Sequence, residues 1–375
     1  MAELDLVAAG HICLDITPEI PDTGTPLDRL LRPGSLTVIG PAAMSTGGGV
    51  ANVGLCARKM GLSVALMGKC GDDLLGQTLL EVLERTSGES QHGMRVAPGE
   101  TTSYSVVLAP PGSDRIFLHC PGANDTFTAA DVDLEIAASA KLFYFGYPPL
   151  MARMYGDGGR ELAKLLAGVK SHGVTAALDM ALPDPSGAAG KADWPAILQR
   201  ALPHVDVFLP SFEEILMMLR RDEYDRLAGG GDLLAHASIP MLRSLANECL
   251  ALGPAVVMIK CGRHGLYVKT GAANAFDKMG SAKPAAKEWA GRELFAPSYR
   301  VPKVVSATGS GDAAVAGFLT ALLRGADPAT AADYACASGG QNVQAVDAVS
   351  GIKNWDATTA ELKGPRVEIP DALQL

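Results

Sequence analysis

The chain has 375 residues, of which 48% are hydrophobic and only 5% are aromatic, and its formal net charge is −9. This length and apolar content suit one large α/β domain with an appendage, or two domains, with a core built mostly from Ala, Val, Leu and Ile. The acidic balance argues against general affinity for nucleic acid or for an anionic membrane surface.

The N-terminal part of the chain alternates strand and helix patterns. Leu4–Ala9 is a short apolar run that predicts a buried strand, and helical periodicity over Val50–Met60 follows a glycine cluster. Ser63–Met67 predicts the next strand and Leu74–Leu83 the next helix. Such alternation is typical of a mostly parallel sheet covered by helices on both faces.

Two segments interrupt this alternation and predict a separate small β-sheet. Side chains alternate over Thr102–Leu108 and Arg115–His119, on either side of a Pro- and Gly-containing turn at 109–114, which is the pattern of a hairpin. The Pro- and Gly-rich segment from about Ile12 to Met44 can supply further strands to the same sheet. We therefore expect a discontinuous β-lid of residues 13–44 and 96–125 on an α/β body of residues 1–12, 45–95 and 126–375.

The strand and helix rhythm resumes after the lid. The segment Gly159–Lys170 predicts a helix, whereas Arg221–Ile239 and Gly271–Pro297 are polar or rich in Gly and Ala and predict insertions. Four further strands are predicted, at Leu142–Gly146, Thr175–Asp179, Val205–Leu209 and Val256–Lys260. The whole pattern predicts a central, mostly parallel sheet flanked by helices, with a small β-sheet lid.

The cysteines and the N-terminus bear on location. The 7 cysteines are scattered and form no C-x-x-C pair, which is typical of reduced thiols in a cytosol rather than of disulfides or a zinc site. The histidines likewise show no paired spacing, so no transition-metal site is expected. Residues Met1–Gly10 lack the pattern of a signal peptide, and no apolar run approaches the roughly 18 residues that span a bilayer. We expect a cytoplasmic protein without a membrane partner.

The most informative segment for chemistry runs from Thr308 to Asp312, with the sequence TGSGD. Gly309 and Gly311 carry no side chain, so backbone N–H groups can approach an anion at the positive end of the helix that follows. Such a nest stabilises the charge on a transferring phosphoryl group, and the Asp312 carboxylate could accept a proton from a substrate hydroxyl. The alternative is an ordinary helix N-terminal carboxylate in a Gly-rich turn.

A second candidate site lies near the N-terminus. In the run GGGVAN, Gly47 and Gly48 leave the backbone open to a polyol, and the Asn52 amide offers both a donor and an acceptor. The G-x-G-x-x-G spacing of a dinucleotide site fails, because Asn52 stands at the last glycine position. Asp15 follows the first strand, where ligands of open α/β sheets collect. The alternatives are a tight strand-to-helix turn and a loop carboxylate.

These segments resemble the signatures of the ribokinase-like (PfkB) carbohydrate kinases. The resemblance implies that Gly309, Ser310 and Gly311 form an anion hole and that Asp312 is the catalytic base. It also implies that Asp15, Gly47, Gly48, Asn52 and Asn124 contact the substrate. The family usually has Asp-Thr where this chain has Ser306-Ala307, and because that Asp often helps to bind a monovalent cation, the resemblance leaves K⁺ activation open.

The resemblance extends to the nucleotide and metal positions. Glu214 stands at the Glu of the family's N-x-x-E element, which organises Mg²⁺ through water, although Ser211 replaces the Asn; the alternative is a first-turn helix acid. Lys260 stands where the family commonly has Thr, and a structural β-turn would explain the nearby glycines equally well. The implied nucleotide-binding residues are Lys260, Gly262, Gly265, Thr308 and Asn342.

The matches run in the expected order from Leu4 to about Gly351. They imply a kinase that uses ATP and Mg²⁺ to phosphorylate a hydroxyl of a sugar or sugar-like molecule, with a lid that could also form a homodimer. Two alternatives stay open. One is a nucleoside kinase on the same fold, although Tyr104 and Phe117 are the only aromatic residues of the predicted lid. The other is a non-catalytic sugar or nucleotide sensor, suggested by Ser306-Ala307.

Overall fold

The structure is a computed structural model that describes residues 4–22, 24, 29, 31–88, 93–110 and 115–375. The central residues of the predicted turn at 109–114 therefore lie outside the described part of the chain. The strands are β1 Leu4–Gly10, β2 Cys13–Pro18, β3 Ala42–Gly47, β4 Val64–Met67, β5 Lys69–Gly71, β6 Arg95–Ala97, β7 Tyr104–Leu108, β8 Ile116–Cys120, β9 Ala140–Gly146, β10 Thr175–Asp179, β11 Val207–Phe208, β12 Val256–Lys260, β13 Gly265–Thr270 and β14 Glu293–Pro297. The α-helices are α1 Gly49–Lys59, α2 Leu74–Ser87, α3 Leu134–Ala138, α4 Ala152–Tyr155, α5 Arg160–Ser171, α6 Trp194–Ala201, α7 Phe212–Leu219, α8 Arg221–Ala228, α9 Ile239–Leu252, α10 Ala286–Trp289, α11 Ser310–Leu323, α12 Pro328–Asn342 and α13 Trp355–Glu361.

The body is built on a sheet with the strand order β14-β13-β12-β11-β10-β9-β1-β4. All neighbours from β12 to β4 are parallel, and β13 and β14 are antiparallel additions at one edge. Both faces of the sheet are buried: along β1, Leu6 and Ala8 point into one hydrophobic cluster, and Val7 and Ala9 point into the other. This two-sided burial explains why the parallel strands are continuous apolar runs. The predicted central, mostly parallel sheet is confirmed.

The second sheet has the order β3-β2-β7-β8 and corresponds to the predicted lid. β7 and β8 form the predicted antiparallel hairpin, and β2 pairs with β3 in an antiparallel arrangement. A parallel pairing of β2 with β7 joins the two separate segments into one sheet. The strand Arg95–Ala97 pairs instead with Lys69–Gly71 in a small sheet of the body.

The interpretation of Gly271–Pro297 as an insertion is wrong at its C-terminal end. Residues 293–297 form β14, which pairs with β13 and extends the main sheet. Leu294 and Phe295 pack against the two opposite core clusters, as neighbouring residues of a strand do. The strand is short and lies at an edge, and it follows a Gly- and Ala-rich stretch, so its period of two is hard to see in the sequence.

The segment Arg221–Ile239 is also folded against the body. It contains α8, and Tyr224, Leu227 and Leu233 are buried in the second core cluster. Its charged residues lie on the outer side of this short helix, which gives the segment its polar composition. In the part of the chain that the structure describes, no helix is both long enough and apolar enough to cross a bilayer.

Candidate active site

The candidate site lies at the carboxyl ends of the parallel strands, where these ends face the lid and the start of α11. Tyr147 directly follows β9, Asp179 ends β10, and Lys260 ends β12. The lid strand β2 begins three residues after β1 ends, so Asp15 is carried to the same edge. Because the carboxyl ends of neighbouring parallel strands meet at one edge of a sheet, residues far apart in sequence come together here.

Asp312 is the centre of the site. Its carboxylate is 3% exposed and accepts two hydrogen bonds, one from Asn52 Nδ2 at 2.8 Å and one from the Tyr147 hydroxyl at 2.6 Å. Burial raises the pKa of Asp312, and the hydrogen bonds from Tyr147 and Asn52 oppose that rise because they stabilise the ionised form. The two glycine-rich motifs, 260 positions apart, are thus joined through Asn52 and Asp312.

The sequence analysis did not identify Tyr147. Its backbone has φ +66°, a left-handed conformation that is uncommon for a residue other than glycine. The Tyr147 N–H donates to the Asp179 carbonyl at 3.3 Å, and the turn Pro148–Leu150 begins directly after it. Burial raises the pKa of Tyr147 well above its usual value, so the hydroxyl remains a donor to Asp312 at neutral pH.

A buried ion pair forms the floor of the site. Lys260 Nζ lies 2.6 Å from Asp179 Oδ1, with the two side chains 12% and 0% exposed. The Met180 N–H donates to the same carboxylate at 2.9 Å. Burial raises the pKa of Asp179, and the Lys260 ammonium opposes that rise. Burial would lower the pKa of Lys260, but the Asp179 and Glu214 carboxylates raise it overall, so the lysine is a cation.

A cavity of about 350 Å³ opens between these groups. Its lining includes several residues that the sequence analysis selected for different roles, namely Glu214, Lys260, Gly262, Gly309, Gly311 and Asp312. A cavity of this size falls within the range of small-molecule sites. The carboxyl groups of Glu213, Glu214 and Asp312 line it together with the Lys260 ammonium, which is itself paired with Asp179.

The two glycines of the TGSGD loop are required for different reasons. Gly309 has φ +78°, and a Cβ there would lie 2.4 Å from the Cβ of Ala348, so the turn tolerates no side chain. A Cβ on Gly311 would meet only the Lys260 side chain, at 3.6–3.9 Å. Gly311 therefore leaves the cavity open beside the first turn of α11, where the N–H groups of a helix N-terminus can bind an anion; the Ser310 N–H of this turn donates to the Ala307 carbonyl at 3.2 Å.

The N-terminal glycine cluster packs directly against polar side chains of the lid. A Cβ on Gly47 would lie 2.4 Å from Asp15 Oδ2, and one on Gly48, where φ is +89°, would lie 2.6 Å from His11 Nδ1. Asp15 is half-buried, and burial raises its pKa. His11 is buried, and burial and the neighbouring His119 lower its pKa to about 3.

Glu214 has a structural contact as well as a place in the cavity lining. Its carboxylate accepts a hydrogen bond from the Ser211 N–H at 2.6 Å, and the Ser211 hydroxyl accepts one from the Glu214 N–H at 3.2 Å. This is a capping box at the start of α7. The two sequence interpretations of Glu214 are therefore compatible, because a capped carboxylate still has lone pairs that face the cavity.

Asn124 is fully engaged with the main chain. Its Oδ1 accepts from the Ile12 N–H at 3.3 Å, and its Nδ2 donates to the Ile12 carbonyl at 2.9 Å. Asn124 is 0% exposed and holds the segment after β8 against Ile12, the residue before β2. This geometry gives Asn124 a structural contact, and no contact with the cavity was found among the described residues.

The predicted nucleotide-binding residues divide into two groups. Lys260 and Gly262 line the cavity, whereas Gly265 faces β14, since a Cβ there would lie 2.0 Å from the Ala296 carbonyl oxygen. Asn342 is buried beside Gly309 and donates to the Ala348 carbonyl at 2.8 Å, which supports the loop from behind. The Thr308 N–H donates to the Ser306 hydroxyl at 3.2 Å, within the same turn.

Comparison with known proteins finds relatives among the sugar and nucleoside kinases. The family model for "pfkB family carbohydrate kinase" matches residues 25–355. An uncharacterized sugar kinase of Archaeoglobus fulgidus is 24% identical over 269 residues, which are 72% of this chain and 86% of that protein. A nucleoside kinase of Methanothermobacter thermautotrophicus is 25% identical over 341 residues, which are 89% of this chain and 87% of that protein.

Among solved structures, the Arabidopsis thaliana ribokinase complexed with ribose and ATP is similar in fold. It superposes with a TM-score of 0.68 at 19% identity, and the match covers 96% of this chain and 99% of that one. At this identity the likeness concerns the fold alone, and the large sheet with its smaller second sheet is the fold of ribokinase.

Proposed function

The chain belongs to the pfkB family of carbohydrate kinases, and on that premise we propose that it transfers the γ-phosphoryl group of ATP to a hydroxyl of a sugar or sugar-like molecule, with Asp312 as the general base. The observation that carries the proposal is the hydrogen bond between Asn52 and Asp312 at 2.8 Å. It places the residue expected to bind the acceptor in contact with the residue expected to activate it.

In the proposed reaction the acceptor hydroxyl lies between Asp15 and Asp312. Its proton passes to the Asp312 carboxylate as its oxygen forms a bond to the γ-phosphorus, and the bond from that phosphorus to the ADP oxygen breaks. The raised pKa of Asp312 makes it a better proton acceptor than an ordinary carboxylate. A base of this kind typically contributes a factor of about 10²–10⁴ to the rate.

The backbone N–H groups of Gly309 and Gly311 would bind the oxygens of the transferring phosphoryl group, whereas the Ser310 N–H donates to the Ala307 carbonyl at 3.2 Å. They are fixed by the first turn of α11, so they need little reorganisation when charge develops. Lys260 supports this role, because its side chain lies within 3.6–3.9 Å of where a Gly311 Cβ would stand. Its ammonium is shared with Asp179, which keeps the cation oriented at the cavity.

The cavity also fits Mg²⁺ with the nucleotide. The lining carboxyl groups of Glu213, Glu214 and Asp312, beside an ammonium already paired with Asp179, leave an excess of negative charge that a hard divalent cation can balance. Glu214 would hold such an ion through water, and the ion would neutralise charge on the phosphate oxygens. Ser306-Ala307 supplies no carboxylate to the loop before Gly309, so we expect no K⁺ activation through the side chains at these two positions.

The function is tested by measuring ATP consumption over a panel of sugars, sugar alcohols and nucleosides, with the phosphorylated product identified. The proposal predicts turnover with at least one acceptor and its loss in Asp312→Asn. The exposed carboxylate Asp356, in the first turn of α13, provides the matched control Asp356→Asn, which should leave turnover unchanged. Full turnover in Asp312→Asn would refute the assignment of the base.

A nucleoside kinase is the second candidate, favoured by the relative from Methanothermobacter, which matches over most of both chains. The rings of His11, His119 and Tyr147 lie together near the lid, with centroid distances of 5.2 and 6.0 Å from His11, and could face a base. The same panel separates the candidates, because a nucleoside kinase would turn over nucleosides at much lower concentrations than free sugars.

The lid also has features of an interface between two copies of the chain. One face of its sheet exposes the apolar side chains of Met44 at 50% and Leu118 at 56%, which are in register across the strands, and the opposite face exposes Phe117 at 48%. Exposed apolar patches of this kind often mark interaction sites. We propose a homodimer through the lid, which sedimentation of the wild type and of Leu118→Lys would test.

We also propose a cytoplasmic location, since all 7 cysteines are free.

A further inference from the structure

Two histidines and a cysteine come together where the lid meets the body. His11 lies between β1 and β2, Cys13 begins β2, and His119 is near the end of β8. One ligand atom from each of the three side chains lies within 4.8 Å of the others. Sequence spacing gives no hint of this group, because the third member is more than 100 positions from the first two.

The geometry of the pair of imidazoles is that of a metal site. His11 Nε2 and His119 Nε2 are 3.3 Å apart. Two nitrogen ligands at about 2.0–2.1 Å from a tetrahedral Zn²⁺ ion are separated by about 3.3–3.4 Å. The same separation allows a hydrogen bond between the rings, so this distance alone does not distinguish a metal site from a hydrogen-bonded histidine pair.

The surroundings of the three side chains favour a ligand. His11 is 2% exposed and directs its Nε2 towards His119, while its Nδ1 faces Gly48 and has no hydrogen-bond partner among the described residues. His119 Nδ1 lies 3.0 Å from the Ser105 hydroxyl, which orients the ring and directs Nε2 towards His11. Such an outer hydrogen bond on the second ring nitrogen is characteristic of metal-binding histidines. Cys13 Sγ lies 3.8 Å from the same hydroxyl.

We propose that His11, Cys13 and His119 form a binding site for Zn²⁺ at the hinge between the lid and the body. Binding replaces the thiol proton of Cys13 by the metal, and that proton passes to the solvent, so a zinc–thiolate bond forms as the S–H bond breaks. Two imidazoles and a thiolate select a soft or borderline cation and exclude Mg²⁺, which prefers oxygen ligands. The fourth position stays open to water.

The position of the site gives it a consequence for the acceptor pocket. The Cys13 thiol donates a hydrogen bond to Asp15 Oδ1 at 3.4 Å, and the His11 ring lies 6.0 Å from the ring of Tyr147, which binds Asp312. A Zn²⁺ ion here would take the thiol away from Asp15 and link β2 and β8 of the lid to the body. Zinc would therefore compete with the acceptor for this pocket, a consequence that depends on the proposed function.

Binding itself is tested by calorimetric titration of the full chain with Zn²⁺ and by the thiolate-to-metal absorption of the Co²⁺ form. The wild type should bind one ion per chain. Cys13→Ser and His119→Gln should each weaken binding by about 100-fold or more, because loss of an outer-shell partner alone costs 10–100-fold. His119 is exposed, so its replacement should leave the fold intact.

Cys120→Ser is the matched control, because Cys120 follows His119 directly and is partly exposed but does not belong to the cluster. It should bind Zn²⁺ as the wild type does. Wild-type binding in Cys13→Ser, or the absence of stoichiometric binding in the wild type, would overturn the proposal and leave a hydrogen-bonded histidine pair.

The competition between Zn²⁺ and the acceptor is tested by steady-state kinetics at fixed Mg²⁺ and ATP. Zinc should raise the KM of the acceptor and leave its kcat unchanged in the wild type and in Cys120→Ser, and it should lose this effect in Cys13→Ser. A pattern competitive with ATP instead would contradict the site. A chain that binds one Zn²⁺ ion but phosphorylates no acceptor would refute the proposed function and support the metal site.

Discussion

Removing the hydroxyl of Tyr147 should change the pH dependence of the reaction more than its maximum rate. The hydroxyl donates to Asp312 Oδ1 at 2.6 Å and stabilises the ionised carboxylate. In Tyr147→Phe that stabilisation is lost, so the pKa of Asp312 should rise further. The base must be ionised to accept a proton, so activity is lost as the pH falls through this pKa, and the acid limb of the profile should move to higher pH.

The size of the shift follows from the strength of this hydrogen bond. A hydrogen bond to a charged group contributes about 1.5–3 kcal/mol, and one pKa unit corresponds to about 1.4 kcal/mol. The acid limb of kcat/KM should therefore move up by about 1–2 units. The left-handed backbone at residue 147 disfavours Tyr and Phe equally, so the exchange should add no backbone strain.

The assay is kcat/KM for the acceptor at saturating ATP across the pH range, because this ratio reports the pKa values of the free enzyme. Tyr155→Phe, a change of the same kind in the nearby helix α4, is the control and should leave the profile unchanged. If Tyr147→Phe lowers the rate equally at every pH, Tyr147 does not act through the ionisation of Asp312, and the reasoning fails.

Substitutions at Asp312, at the two loop glycines and at Lys260 test other parts of the site. Asp312→Asn should lower kcat by about 10²–10⁴. It should have little effect on thermal stability, because Asn52 can turn its unpartnered Oδ1 towards the new amide. Normal turnover would contradict this prediction. Gly311→Ala should keep the melting temperature but lose activity. Gly309→Ala should lower the free energy of unfolding by about 1–3 kcal/mol in denaturant titration, because residue 309 has a positive φ and a Cβ there would contact Ala348. Equal stability of the two variants would contradict this distinction. Lys260→Met should cost about 3–5 kcal/mol of stability by leaving the Asp179 carboxylate buried without its partner. Burial raises the pKa of Asp179 to about 7 even with Lys260 beside it, and removing the ammonium that lowers this pKa should raise it further, so the loss in denaturant titration should grow as the pH rises above 7. Asp179→Asn in the same chain should restore most of that stability, and a loss that does not depend on pH would contradict the argument.

The sequence predicted most of the fold, because its apolar runs, its turn residues and its order of strands and helices all indicate the same architecture. The parallel strands are apolar on both faces, as at Thr175–Asp179, and their predicted and observed bounds are the same. The lid hairpin carries a strong turn signal and alternating side chains. The edge strand Glu293–Pro297 was missed because a short strand next to a Gly- and Ala-rich stretch shows little periodicity.

The site could be predicted only where a residue lies in a recognisable motif. Asp312 and Asn52 stand in glycine-rich runs whose chemistry is visible in the sequence. Tyr147 directly follows one ordinary strand and Asp179 ends another, and their importance depends on which strands are neighbours in the sheet. Asn124 shows the converse, since an amide that suits a sugar hydroxyl is used to hold the main chain of Ile12.

Tertiary structure also brought together groups for which the sequence gives no signal. His11 and His119 approach to 3.3 Å because β8 enters the lid sheet next to β7, which pairs with β2. The spacing of histidines along the chain therefore predicts no metal site. A hydrogen-bonding pattern between strands, rather than a local motif, produces this cluster.

The central claim is that the acceptor hydroxyl is bound between Asp15 and Asp312 and faces the phosphoryl group held at Gly309–Gly311. The most direct test is a crystal structure of the chain with an acceptor that it phosphorylates and a non-hydrolysable ATP analogue. We expect the reacting hydroxyl within about 2.6–3.2 Å of the Asp312 carboxylate, in line with the γ-phosphorus. A hydroxyl bound out of reach of Asp312, or a γ-phosphate away from the glycine loop, would contradict it.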